Sequence, residues 1–162
     1  MYYEMTGTVV EKIVTLMVCE NGDVKVYENH AFIVADNVGA HGMQVFDLTR
    51  LRNVASPPES FIPETVLTNG WDGSTIGSCH NIVINETNAM AYLVGCQSAN
   101  GGGPIFIDIS DPVNPEAIGE YNDEGYTHDA QVVTYAGPDS SYNGKEIMIS
   151  CNEDCLLYTS DA

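Results

Sequence analysis

The sequence predicts an all-β chain built from a repeated strand unit, and three observations carry that expectation. The first is a segment that occurs twice. Ala31-Phe32-Ile33-Val34-Ala35-Asp36 leads to Gln44-Val45-Phe46-Asp47-Leu48, and Ala91-Tyr92-Leu93-Val94-Gly95 leads to Ile105-Phe106-Ile107-Asp108-Ile109. Phe32 precedes Tyr92 by 60 residues and Asp47 precedes Asp108 by 61, so paired apolar runs recur in one frame, as repeated β units do. The second is punctuation by Gly and Pro at short intervals, which suits turns between short strands. The third is that no stretch joins sustained helical spacing to capping residues.

Residues 1–20 contain one apolar stretch, Ile13-Val14-Thr15-Leu16-Met17-Val18, which suits a strand but lacks the repeat's signature. From Asp23 the pattern sharpens: Val24-Lys25-Val26 alternates as a half-buried strand, Glu28-Asn29 turns, and residues 31–34 form a buried strand. Gly39-Ala40-His41-Gly42 loops and residues 44–48 make the next strand. Residues 52–77, with Pro57-Pro58, Pro63 and Asn69-Gly70, read as loop, with an outer strand expected at the apolar patch of Phe61-Ile62 and Val66-Leu67.

Residues 79–84 and 91–96 read as a hairpin turning around Thr87-Asn88. In that register Ile84 faces Ala91, Ile82 faces Leu93 and Cys79 faces Cys96. Two readings of the cysteines stand: a cross-strand disulfide at a non-hydrogen-bonded pair, or two buried free thiols. The bridge would imply an oxidising compartment. The prolines of Ile109-Ser110-Asp111-Pro112-Val113-Asn114-Pro115 end the second unit. A third copy begins at Glu146-Ile147-Met148-Ile149-Ser150, 55 residues after Tyr92 with Ile147 as its counterpart. One such unit cannot cover its own apolar faces and about three are the least that would be stable, so the chain reads as part of a larger protein.

Composition narrows the partners. Five Lys plus Arg against 23 Asp plus Glu leave a net charge of -18, which opposes binding to nucleic acid or anionic lipid. The acidity suits either a soluble, self-repelling surface or carboxylates gathered on a divalent cation. No apolar run approaches the roughly 18 to 20 residues that cross a bilayer, so no transmembrane segment is expected. Met1-Tyr2-Tyr3-Glu4 lacks the basic region and apolar core of a secretory signal. The five cysteines form no Cys-x-x-Cys pair, which argues against a zinc ribbon.

Several segments, in order, resemble a known family. They are Asp23-Val24-Lys25-Val26-Tyr27, His41-Gly42-Met43-Gln44-Val45-Phe46-Asp47-Leu48, His80-Asn81-Ile82-Val83-Ile84-Asn85-Glu86, Phe106-Ile107-Asp108-Ile109-Ser110-Asp111-Pro112 and Tyr126-Thr127-His128-Asp129-Ala130-Gln131. Together they resemble the LVIVD-repeat proteins of the choice-of-anchor B type. The resemblance implies an incomplete β-propeller of about two to three blades, each an antiparallel four-stranded sheet, in a protein at or outside the bacterial cell surface. It implies no established reaction. On this reading residues 1–22 are a poorly matching N-terminal segment, residues 23–154 are the blades, and residues 155–162, Cys-Leu-Leu-Tyr-Thr-Ser-Asp-Ala, look like a translated sequencing adapter and hence a non-native tail.

Laying the units over one another places Asp23, His80 and His128 at corresponding strand starts, which in a propeller converge on the central channel. Two His and one carboxylate form a ligand set suited to Fe, Mn or Zn. The competing reading is that these residues begin strands and hydrogen-bond neighbouring backbone, tying blade to blade. Asp139 and Asn143 hold the first and fifth positions of a calcium loop, but the twelfth is Ser150 rather than Glu, which favours a hairpin turn. Gly-flanked His41 reads as a turn residue, and Trp71 as a packed loop anchor. Gly-x-Ser-x-Gly is absent, and Gly101-Gly102-Gly103 lacks the Lys and Ser/Thr of a phosphate loop. The leading expectation is a non-catalytic module that presents loops and a channel mouth to a protein or carbohydrate. The alternative is a metal-dependent enzyme with Asp23, His80 and His128 as ligands.

Overall fold

A computed structural model of the chain describes residues 22–55, 59–97 and 99–152, with the backbone of 4–5, 8–9 and 14–15. Most of the N-terminal segment, Cys19, and the tail at 155–162 lie outside the described residues. Strands β1 (Glu4–Met5) and β2 (Thr8–Val9) make a small antiparallel pair, followed by β3 (Val14–Thr15). The first four-stranded sheet runs in chain order through β4 (Gly22–Tyr27), β5 (His30–Ala35) and β6 (Met43–Asp47). After β7 (Glu59–Ser60), which pairs in parallel with β3, the sheet ends on β8 (Thr65–Leu67). The second sheet repeats this order in β9 (Asn81–Asn85), β10 (Met90–Val94), β11 (Ile105–Asp108) and β12 (Glu116–Glu120). A third unit contributes the hairpin of β13 (Thr127–Thr134) and β14 (Glu146–Asn152). All neighbours within these three units are antiparallel.

Local chemistry sets the meander. Glu28 and Asn29 both take positive φ, 43° and 63°, the geometry whose twist matches the flanking strands of a two-residue hairpin. The recurring Asp after the third strand is a turn device: Asp47 Oδ1 accepts from the Thr49 amide at 2.8 Å, and Asp108 Oδ1 accepts from the Ser110 amide at 2.8 Å. Asp47 also caps a 3-10 turn, Leu48–Asn53, at a place where no helical spacing was legible. The outer strand of the first sheet falls at Thr65–Leu67 and excludes Phe61 and Ile62. Phe61 instead packs on Phe46 with ring centroids 5.4 Å apart, and Arg50 lies over both rings.

The sheets bury their faces on one another. Between the first and second lie Phe32, Val34, Met43 and Val45 from one side and Ile82, Leu93, Ile105 and Ile107 from the other, all fully buried. Between the second and third lie Val83, Tyr92, Val94 and Ala130, with Phe106, Val132 and Met148 packed against them. Each fully buried Val, Leu, Ile, Phe or Met side chain among them contributes about 1.5–3 kcal/mol. Strand β9 is the centre of this arrangement, packed against β4 on one side and β13 on the other.

Two expectations about register need correction. Phe32 faces Lys25, Tyr92 faces Val83 and Ile149 faces Gln131, so the counterpart of Tyr92 in the third unit is Ile149, not Ile147. The strand with Val24 and Val26 is inverted: both valines are exposed, while Tyr27 packs against the main core. Its inward face is the one turned to the second sheet. No helix among the described residues is long and apolar enough to cross a membrane.

Candidate functional site

The antiparallel registers Gly22 with Ala35, Asn81 with Val94 and Thr127 with Asn152 bring the starts of β4, β9 and β13 and the ends of β5, β10 and β14 to one edge. Side chains from all three units meet there. Asp36 follows β5, His80 precedes β9, Gln97 follows β10 and His128 lies in β13. The Asp36 carboxylate is only 8% exposed and is held by three donors. Oδ2 lies 3.0 Å from His80 Nδ1, and Oδ1 accepts from Gln97 Nε2 and from the Asn37 amide, each at 2.8 Å. A carboxylate can only accept, so His80 donates through Nδ1 and carries Nε2 on the far side of its ring. The His128 ring rests against His80, centroids 4.2 Å apart and tilted by 48°.

Backbone geometry makes room for this contact. Gly95 has φ of +65°, and a Cβ there would come within 2.7 Å of both His80 Cβ and Tyr126 Oη. Glycine both adopts that conformation without cost and leaves the space. Ser78 fastens the loop after β5 to the second sheet: its Oγ accepts from the Val38 amide at 2.8 Å and donates to Gly39 O at 3.2 Å. Beside the Asp36–His80 pair opens a depression of about 530 Å³, lined by Asn37, Gly39, Thr75, Ser78 and Gln97 among others.

Of the residues singled out from sequence, the structure brings His80 and His128 together and places Asp36, not Asp23, beside His80. The Asp23 carboxylate is engaged by Lys25 Nζ at 2.5 Å, by the Val24 amide at 2.8 Å and by the Ile82 amide at 3.1 Å. The internal alignment slips by one residue at this point. Asp23, Asn81 and Asp129 are the true equivalents, since each accepts the amide of the following residue, at 2.8, 2.9 and 2.8 Å. They also tie sheet to sheet, because Asn81 Nδ2 donates to Asp129 Oδ1 at 2.9 Å. Among the described residues, no three His, Cys, Asp or Glu side chains are grouped to hold a metal ion.

Comparison with known proteins brings no relative to light. No family model, no curated protein and no solved structure matches the chain. The chemistry of the edge therefore rests on its own residues.

Cys79 and Cys96 form a disulfide within the main core, and each adjoins a residue of the site or its loop, His80 and Gln97 respectively. Asp139 and Asn143 serve a turn: Asp139 Oδ1 accepts from the Ser141 amide at 3.0 Å and Asn143 Oδ1 from the Gly137 amide at 3.2 Å. His41 is buried, with Nδ1 2.8 Å from Gly42 O and Nε2 3.0 Å from Gln44 Nε2. Trp71 is not packed: it is 61% exposed in the loop before the second sheet. Sequence reasoning missed Asp36 and Gln97. Asp36 corresponds to Cys96 in the next unit, so comparison of repeats could not single out a carboxylate there.

Proposed function

We propose that the chain is a β-propeller segment acting as a non-catalytic recognition module of a bacterial surface or extracellular protein, with carbohydrate as the ligand class. The observation that carries the reading is an open depression lined by the Asn37 and Gln97 amides and the Thr75 and Ser78 hydroxyls, with Gln97 hydrogen-bonded to the Asp36 carboxylate that also holds His80. Side-chain amides and hydroxyls supply both donors and acceptors, as a sugar's hydroxyls require, and the hydrogen bonds of Asp36 to Gln97 and His80 fix the loop that carries them.

The propeller reading is supported by three inner strands set side by side, each opening a meander of antiparallel neighbours whose faces pack on the next unit. The location is supported by the Cys79–Cys96 bridge, because structural disulfides persist in oxidising compartments. The acidic surface argues against nucleic acid.

The test is titration of the isotopically labelled chain with a panel of neutral, acidic and amino sugars, followed by NMR. The reading expects saturable shifts of the Asn37 and Gln97 side-chain amides and of the His80 ring for at least one sugar class, lost in Gln97→Ala. Unmoved edge resonances across the whole panel would remove carbohydrate as the ligand class and leave a protein partner.

A further inference from the structure

The seam between the second and third units holds a pair of imidazoles. His80 precedes β9 and His128 lies in β13, and where these strands pack on each other the two ring centroids are 4.2 Å apart. The His80 ring gives its Nδ1 proton to the Asp36 carboxylate at 3.0 Å, so in the neutral ring Nε2 keeps its lone pair. Among the described residues, no hydrogen bond occupies that nitrogen or either nitrogen of His128, whose side chain is exposed. A histidine that hands one N–H to a carboxylate and bares its other nitrogen has the arrangement of a metal ligand, the carboxylate fixing the ring and raising its basicity. The net charge of -18 favours a cation. Both rings belong to units that this chain supplies, so the pair forms whatever chain precedes or follows them.

We propose that His80 and His128 bind a copper(II) ion through one nitrogen each, with the Asp36 carboxylate orienting His80 and water in the remaining positions. The ring spacing selects the ion. With a metal–nitrogen bond of about 2 Å, an ion held by both rings sits about 3.2 Å from each centroid, so centroids 4.2 Å apart subtend about 80° at it. That is near the right angle of a tetragonal site, whereas the tetrahedral angle of zinc needs centroids about 5.2 Å apart. No group of three His, Cys, Asp or Glu side chains suited to a metal stands among the described residues, and catalytic zinc sites use three protein ligands. Copper heads the affinity order of the divalent first-row ions, while calcium and magnesium take oxygen ligands. The site is independent of the sugar reading, which rests on the depression and not on His128.

Titration of the full chain with copper(II), followed by calorimetry and electron paramagnetic resonance, tests the proposal on the parent, His80→Ala, His128→Ala, Asp36→Asn and His30→Ala. The parent is expected to take up one tight equivalent whose spectrum carries the splitting of two nitrogens, and to bind zinc at least about 10-fold more weakly. His80→Ala and His128→Ala are each expected to lose one nitrogen and about 100-fold in affinity. Asp36→Asn is expected to keep both nitrogens and bind about 10-fold more weakly, the loss typical of an orienting partner. His30→Ala, which changes a histidine outside the pair, is expected to match the parent. His128→Ala is also expected to keep any sugar-induced shifts at Asn37 and Gln97, so the two readings fail separately. Copper held equally by the parent and both histidine variants, as diffuse binding to the acidic surface would give, overturns the proposal. So does a parent spectrum without nitrogen splitting, and zinc bound as tightly as copper overturns the choice of ion. If circular dichroism shows that His80→Ala does not fold, exposed His128→Ala and the parent's nitrogen count decide.

Discussion

Reduction of the Cys79–Cys96 bridge should weaken the fold and loosen the recognition edge together. The two cysteines are 17 residues apart in sequence and both lie at 0% exposure in the core between the first and second sheets. Freeing a loop of that size returns chain entropy to the unfolded state worth about 3 kcal/mol. With a urea slope of about 1–3 kcal/mol per molar, the midpoint should fall by about 1–3 M. The measurement is urea unfolding followed by far-UV circular dichroism on oxidised chain, chain held in excess reductant, and Cys79→Ala with Cys96→Ala, with Cys151→Ser as a background control because its thiol is free and exposed. The double alanine variant should fall slightly below the reduced parent, since it also empties the space of two buried sulfur atoms. NMR of the reduced chain should show the His80 ring exchanging between environments. Coincident urea curves for oxidised and reduced chain would refute the reasoning, for the loop would then be equally restricted without its covalent closure.

Further outcomes follow from single contacts. Gly95→Ala should cost at least about 1–2 kcal/mol through its left-handed backbone alone and should also abolish the close approach of the His80 and His128 rings, read as a lost nuclear Overhauser contact. Asn81→Ala and Asp129→Ala should couple by about 1 kcal/mol in a double-mutant cycle on urea stability, and strict additivity would show that the tie between their sheets contributes nothing. Burial, and after it the neighbouring Glu146, push the Tyr92 hydroxyl well above its ordinary value near 10. The folded form therefore resists ionisation that the unfolded form undergoes, so this stability is complete below about pH 10 and is lost as pH rises above it. Tyr92→Phe should flatten that alkaline limb. Hydrogen bonds from Thr49 hold the Asp47 carboxyl below its usual range, so its contribution is present above the ordinary carboxylate value and lost as pH falls through the depressed one, a limb absent from Asp47→Ala.

The β class and the register of one hairpin were legible because they rest on short-range signals. The alternation and turn residues at 79–84 and 91–96 give the register that β9 and β10 adopt, with Ile84 opposite Ala91 and Ile82 opposite Leu93. The repeat frame linking Phe32 to Tyr92 and Asp47 to Asp108 likewise returns as equivalent strand and turn positions. What sequence hid depends on neighbours across sheets. The exposed face of Val24 and Val26 follows from which sheet lies on which side, and alternation alone cannot tell inward from outward. The third unit was misread by two residues because Ile147, Met148 and Ile149 are all apolar and only the pairing with Gln131 selects among them. The edge was half legible: two histidines stood out, but their carboxylate lies 44 residues from His80 in a loop whose counterpart is a cysteine.

The row of Asp23, Asn81 and Asp129 makes the order of the units matter. A carboxylate can only receive hydrogen bonds, whereas the amide of Asn81 both receives one from Ile82 and gives one to Asp129. Placing the amide between two carboxylates keeps like charges from abutting along the inner seam. Permuting the units, or duplicating the first beside the third, would set two anions against each other where a donor now stands. These modules are therefore not interchangeable bricks, and any engineered lengthening of the array must carry the alternation of acid and amide with it.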